Sequence, residues 1–299
     1  MKRVSTTCLY RYKSGIVGYL LCSSSPPTTS SKSSSNAKQG STLNPNSQGR
    51  TLLHASASVP SGKSTGSHEA IELRDADGGV SSAVENVNGE IAKAIVGRSF
   101  DSPGELDAFL IELDGTPNKS RLGANAILSV SISAMRFSAM LEGIPLWRAI
   151  ANRAKINPSA PRLFVNVMEG GAHADFRLPF QEYLLVVEGI TSGAFPIAQE
   201  MFSKIGEQLG TGIPMGDEGG YAPTLDTLER PFEILSELVK EFPNTSIAID
   251  AAASELFKNG SYHLLGKTYS PDELTNVYQG LDSQFPIHSI EDPFAENAG

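Results

Sequence analysis

The 299-residue chain is 40% hydrophobic and 19% charged, with a net charge of −9 at pH 7, a composition that suits a globular protein of one large domain or two ordinary ones. Residues 1–50 hold seven Lys or Arg and no Asp or Glu, so the acidic excess belongs to the rest of the chain, a poor match for nucleic acid. The longest apolar run read from the sequence, 15–22, is far short of the ~18–20 residues of a membrane-spanning helix, which argues against a membrane partner. Both cysteines, Cys8 and Cys22, lie in the basic leader, which excludes a disulfide framework or a cysteine zinc site in the body.

Residues 1–50 are Ser-rich and too poor in apolar side chains to offset the entropy of ordering, so disorder is expected there. Three readings of this leader stay open: an organellar transit peptide, a secretory signal, or wrongly predicted coding sequence. An α+β segment is expected over 51–155. Within it Leu122, Ile127, Val130, Ala134, Phe137 and Leu141 recur at helical intervals, predicting a helix over 118–142 that Gly143 ends. From 162 to 299 short apolar runs at 163–167, 183–187, 246–249 and 286–290 read as buried strands. After Val187 they alternate with helices predicted at 196–209, opened by Pro196, and from Ser270, where Pro271 sits at the first helical position and Glu273 completes a capping box. This alternation predicts βα units around a parallel sheet.

Acidic residues fall at the expected strand ends or in the loops after them: Glu182, Asp217 with Glu218, Asp250, and Glu291 with Asp292. In a βα barrel the strand ends converge on the face where active sites are built. Converging carboxylates need a proton or a cation, and hard oxygen ligands suit Mg²⁺. Any one of these acids taken alone reads first as a helix cap. Asp250 and Glu291 differ because each directly ends an apolar strand. The glycines of GDEGG, 216–220, let a backbone approach a ligand closely. SVPSGKSTG, 58–66, is a Gly/Ser loop able to close on an anion, although most such loops are connectors. GGAHA, 170–174, puts His173 just past a strand. The other histidines, His54, His68, His263 and His288, form no triad with a Ser or Cys.

The strings SVPSGKSTGSHEAIELRD (58–75), LDGTPNKSRLGANAILSVS (113–131), FVNVMEGGAHA (164–174), QEY (181–183), GDEGGYAP (216–223), IAIDAAASELF (247–257) and SIEDPFAE (289–296) together resemble the enolase family over about 55–299. The resemblance implies an α/β protein: an enolase-like N-terminal α+β domain followed by an incomplete (β/α)8 barrel. It implies Mg²⁺ held by Asp250 and Glu291, with Ser64 helping to hold a second metal when its loop closes. Glu218 then matches the general acid, Glu182 stands beside it, and His173 and Glu182 meet the substrate, 2-phosphoglycerate or phosphoenolpyruvate. The implied reaction is the reversible dehydration of glycolysis and gluconeogenesis, in a homodimer of the cytoplasm, with an organelle as the alternative set by the leader.

The match also departs from the family. Its first strand carries no Arg-Gly-Asn-Pro signature, and Lys63 stands where the family has a small residue. The third metal-binding Asp, the Lys base and the phosphate-holding Arg-Ser pair cannot be assigned in this sequence. A whole barrel takes roughly 250 residues, more than follow Leu163. The expectation is therefore an enolase-family chain with little or no activity alone. The alternatives are a catalytically inactive enolase-like binding or assembly module, or an acid-sugar dehydratase or racemase of the wider superfamily.

Overall fold

A computed structural model describes residues 54–59, 66–189 and 191–297, Thr191 by its backbone alone, together with the backbones of strands β1 (Arg3–Cys8), β2 (Leu21–Ser25), Asn44–Pro45 and Thr51–Leu52. The chain divides into two units, Met1–Pro158 and Ser159–Gly299.

In the first unit β1 pairs antiparallel with β2 on one side and with β3 (Ala55–Val59) on the other. The rest of the leader, for which disorder is expected, lies outside the described residues. β3 alternates buried and exposed side chains, as a strand with one covered face must. Helix α1 (Pro103–Asp114) starts on Ser102, whose hydroxyl accepts from the Glu105 amide, and stops at left-handed Gly115. Asp114, buried at its end, accepts from the Thr116 and Leu122 amides and so shapes the loop into the next helix. That helix, α2 (Ala124–Glu142), ends at left-handed Gly143 as predicted, and Ala126, Val130, Ala134 and Phe137 of its buried face join the unit's core. By length and composition α2 could cross a membrane, which the sequence reading overlooked; its apolar face is instead covered by α1 and the helical segment 81–95. Helix α3 (Leu146–Ala154) follows.

The second unit is built on a four-stranded sheet of β4 (Leu163–Glu169), β5 (Glu182–Val187), β6 (Thr245–Asp250) and β7 (Ile287–Glu291), in the spatial order β7-β6-β5-β4. Here the expected parallel sheet is corrected. β4 and β5 are antiparallel, β5 and β6 are antiparallel, and only β6 and β7 run parallel. The 12 residues between β4 and β5 include a single 3-10 turn at Gly171–Ala174, which is not the crossover helix a parallel return requires. Helices α4 (Thr191–Leu209), α5 (Arg230–Glu241) and α6 (Pro271–Gln284) pack Met201, Ile205, Phe232, Leu235, Leu274 and Tyr278 against the sheet residues Tyr183, Leu185, Ile247 and Ile249.

α4 begins at Thr191 rather than at Pro196, so the proline lies inside the helix and forgoes one backbone bond. α6 carries the predicted capping box of Ser270 and Glu273. On the other face of the sheet Leu184, Val186 and Ala248 form a small buried cluster of their own. The outer strands approach one another on that unit's surface, where the ring of Phe164 on β4 meets His288 on β7 at 5.9 Å and Arg162 lies 2.9 Å from His288.

Candidate functional site

Strand direction decides where the acids meet. Glu169 ends β4, Asp250 ends β6 and Glu291 ends β7, whereas Glu182 begins β5, and because β5 runs opposite to its neighbours its start lies beside their ends. The pairing aligns Glu169 with Glu182, Glu182 with Asp250, and Glu291 with Asp250, one rung of four carboxylates across four strands. Neighbouring strands lie ~4.8 Å apart, so four ionised carboxylates on one rung repel strongly in a half-buried setting. Protonation is the answer visible at Glu182: burial, a hydrogen bond with Glu218, and the charges of Glu218, Asp250 and Glu291 push its carboxyl up to about 8. Asp250 is also raised, chiefly by burial and further by the charges of Glu291 and Asp292, against the amide of Ala252 and the side-chain amide of Gln181, which both donate to it.

The loop GDEGG brings Glu218 to this rung, and Glu169 is what holds the loop. Glu169 is fully buried, and its carboxylate accepts from the Glu218 amide at 3.0 Å and the Gly220 amide at 3.0 Å. Hydrogen bonds to a buried charge contribute about 1.5–3 kcal/mol each. The glycines have a steric purpose: a Cβ on Gly216 would sit 2.4 Å from the Glu169 carboxyl carbon, and one on Gly220 would sit 2.9 Å from Asn166 Oδ1. A bulge at Val167 frees its carbonyl to accept from the Tyr221 amide, while Glu169 donates its amide to the Tyr221 carbonyl, so the residue just after the loop extends the edge of β4.

His173 stands in the short 3-10 turn after β4, and its carbonyl accepts from the Asp217 amide. Its Nδ1 lies 3.5 Å from Glu218 Oε1 and 3.8 Å from Glu169 Oε1. Among the described residues Glu169, His173 and Glu218 form one group whose ligand atoms all lie within 4.8 Å of one another. Ala252, two residues past Asp250, and Asp292, next to Glu291, both have left-handed backbones, at φ 41° and 42°. Each costs an L-residue roughly 1 kcal/mol or more, and such strain gathers at functional sites.

Of the site residues expected from sequence, Glu182, Glu218, Asp250, Glu291 and His173 therefore stand at one rim of one unit, and Ser64 lies outside the described residues. Glu169 was missed. Its signal was available, an acid ending a strand and followed by two glycines, the same pattern that singled out Asp250 and Glu291.

A sheet backed by helices, with acids gathered at one rim of its strand ends, is the arrangement of a barrel-type α/β protein. Residues 158–298 match the family described as enolase, C-terminal TIM barrel domain, and residues 46–150 match enolase, N-terminal domain. The enolase of Methanocaldococcus jannaschii is 42% identical over 258 residues, covering 81% of this chain and 60% of that protein. The enolase of Methanopyrus kandleri is 43% identical over 262 residues, covering 80% of this chain and 60% of that protein. The chain belongs to the enolase family, and it spans about 60% of the length of these curated relatives.

Proposed function

We propose that this rim serves the Mg²⁺-dependent, reversible dehydration of 2-phosphoglycerate to phosphoenolpyruvate. The observation that carries the reading is the rung of Glu169, Glu182, Asp250 and Glu291 with Glu218 brought to it. Asp250 and Glu291 supply hard oxygen ligands on adjacent parallel strands, a donor set that fits Mg²⁺. The cation, when bound, stabilises the charge that builds on a carboxylate-bearing substrate as its neighbouring carbon loses a proton. Ser64 is assigned to a second metal.

The remaining steps belong to the chain's own side chains. Glu182 and Glu218 share a hydrogen bond in which Glu182 keeps its proton near neutral pH. The pair is therefore poised to deliver a proton to the departing hydroxyl, with Glu218 as the acid and Glu182 beside it. Glu169 fixes Glu218 through the loop backbone, so the acid meets the substrate without reorganisation. His173, buried between Glu169 and Glu218, is placed to contact the substrate.

The superfamily takes the proton from carbon with a Lys or His base. The lysines of the second unit are Lys204, Lys240, Lys258 and Lys267. Lys204 and Lys240 pair with Glu241 and Glu237 on the helices, while Lys258 and Lys267 lie on the small strands Phe257–Lys258 and Lys267–Tyr269, so none stands on the rung. That observation favours low turnover by the 299-residue chain alone, and it supports a second reading, an enolase-like binding or assembly module. The deciding assay follows phosphoenolpyruvate formation from 2-phosphoglycerate by the purified chain, with and without Mg²⁺, beside a full-length relative. Turnover comparable to the relative's, and dependent on Mg²⁺, would overturn the low-activity expectation. Absence of both turnover and Mg²⁺ binding in a folded chain would sink the assignment of the rim and leave the module reading. A homodimer and a cytoplasmic location are further parts of the proposal, supported by family membership.

A further inference from the structure

We infer that the second unit carries a small-molecule site apart from the rim, in a cleft between the loop 226–229, the strand Lys267–Tyr269 and α6, and that it takes the zwitterion of an apolar α-amino acid. The cleft encloses about 310 Å³, at the small end of the ~300–1,000 Å³ typical of ligand pockets, which suits a compact metabolite rather than a nucleotide or a peptide. Part of its lining is apolar. Leu228, Val277 and Leu281 line it while also packing in the unit's core, and Leu265 adds an exposed side chain from a left-handed turn. Charges of both signs line the same space from different walls: Asp226 and Glu229 from the loop before α5, Lys267 from the strand. Among the described residues none of these three has an ion-pair or side-chain hydrogen-bond partner, so the acids and the lysine do not pair with one another.

The charge pattern selects the ligand. A simple cation would meet Lys267, a simple anion would meet two acids, and a neutral apolar molecule would cover all three unpaired. A zwitterion satisfies both signs: its carboxylate meets Lys267, its ammonium meets Asp226 and Glu229, and its side chain lies on the apolar lining. The carboxamide of Asn276, also unpartnered among the described residues, offers a donor and an acceptor in the same cleft. Gly280 is the second observation. It lies inside α6, where glycine weakens a helix relative to alanine, yet nothing lies within 4 Å of the position its Cβ would take. Packing among the described residues therefore does not require it. Asn276, Gly280 and Gln284 recur every four residues on the face of α6 that walls the cleft, so the missing side chain keeps that wall open.

The test is calorimetric titration of the 299-residue chain with L-leucine, with thermal melts of the same samples to show that each is folded. Saturable binding at one site is expected. Binding should weaken about tenfold or more for 4-methylpentanoate and for 3-methylbutylamine, which lack the ammonium and the carboxylate in turn, because each loses a charge-assisted hydrogen bond. Lys267→Gln should cost a similar factor, and Gly280→Leu should abolish binding while melting no lower than the unsubstituted chain. Asp250→Asn, at the rim, should bind L-leucine as before. No saturable binding to the folded chain, equal affinity for either analogue, binding unaltered by Gly280→Leu, or loss of binding in Asp250→Asn would each overturn the proposal. If Gly280→Leu fails to fold, Lys267→Gln and the two analogues decide. The cleft uses no rim residue, so failure here stands apart from failure of the function proposed above.

Discussion

At the scale of single residues, the rim is governed by like charges and by the backbone space around them. Glu182 is the sharper case. Its folded carboxyl is raised to about 8 by burial, Glu218 and the neighbouring charges, against ~4.3 in an unfolded chain. A carboxyl raised on folding binds protons more tightly in the native state, so its contribution to stability is fullest below ~4.3 and is lost as pH rises towards 8. Denaturant melts of the metal-free chain between pH 5 and 9 should therefore show stability falling up to about pH 8, and Glu182→Gln should flatten that fall. A steeper fall in the variant would refute the assignment. Gly216 gives a second residue-scale expectation. A methyl group there meets the locked Glu169 carboxylate at 2.4 Å, so Gly216→Ala is expected to cost about 1–3 kcal/mol as an overpacked site. A change in the denaturation midpoint of the same chain measures it, and no change would mean that Glu169 is free to move.

At the scale of elements, much was legible because local signals agree with the fold. The helical spacing from Ile127 to Phe137, the stop at Gly143, and the Ser270 to Glu273 capping box all appear where the sequence put them, although the helix expected from 118 starts only at Ala124. What stayed hidden depends on the partner of an element rather than on the element itself. The reversal of β5 leaves no mark in the apolar run 183–187, since a strand buried on both faces reads alike in either direction. With that reversal unread, Glu182 looked like one more residue near a strand end, and its alignment with Glu169 and Asp250 could not be foreseen. The start of α4 was missed for a related reason, because a proline is a common first residue and here it is an interior one. The capping box itself is testable. Ser270→Ala removes the hydroxyl that accepts from the Glu273 amide at 3.2 Å, and it should cost about 1 kcal/mol. Thermal unfolding of the second unit's signal is the measure, and an unchanged midpoint would show α6 held by its buried Leu274, Tyr278 and Leu281 alone.

At the scale of the whole molecule, the rim carries an electrostatic debt that a cation can relieve. Glu169, Glu182, Glu218, Asp250 and Glu291 meet at one edge of the second unit, and among the described residues no lysine or arginine forms an ion pair with any of them. The chain tolerates this through a proton on Glu182 and amides donated to Glu169 and Asp250. A cation that binds only the folded rim stabilises it by RT ln(1 + [L]/Kd), about 2.7 kcal/mol at a hundredfold excess over Kd. Mg²⁺ should therefore raise the unfolding temperature of the wild-type chain, and chelation should return it to its starting value. Simple screening predicts the same direction, so the control is an equal ionic strength of Na⁺, which must give much less. Asp250→Asn separates the two further: it removes a ligand and a repelling charge together, so the variant should be more stable than wild type without metal and gain little from Mg²⁺. If instead Mg²⁺ stabilised Asp250→Asn as much as wild type, Asp250 would not be a ligand, and the rung's charge would be relieved elsewhere on the rim.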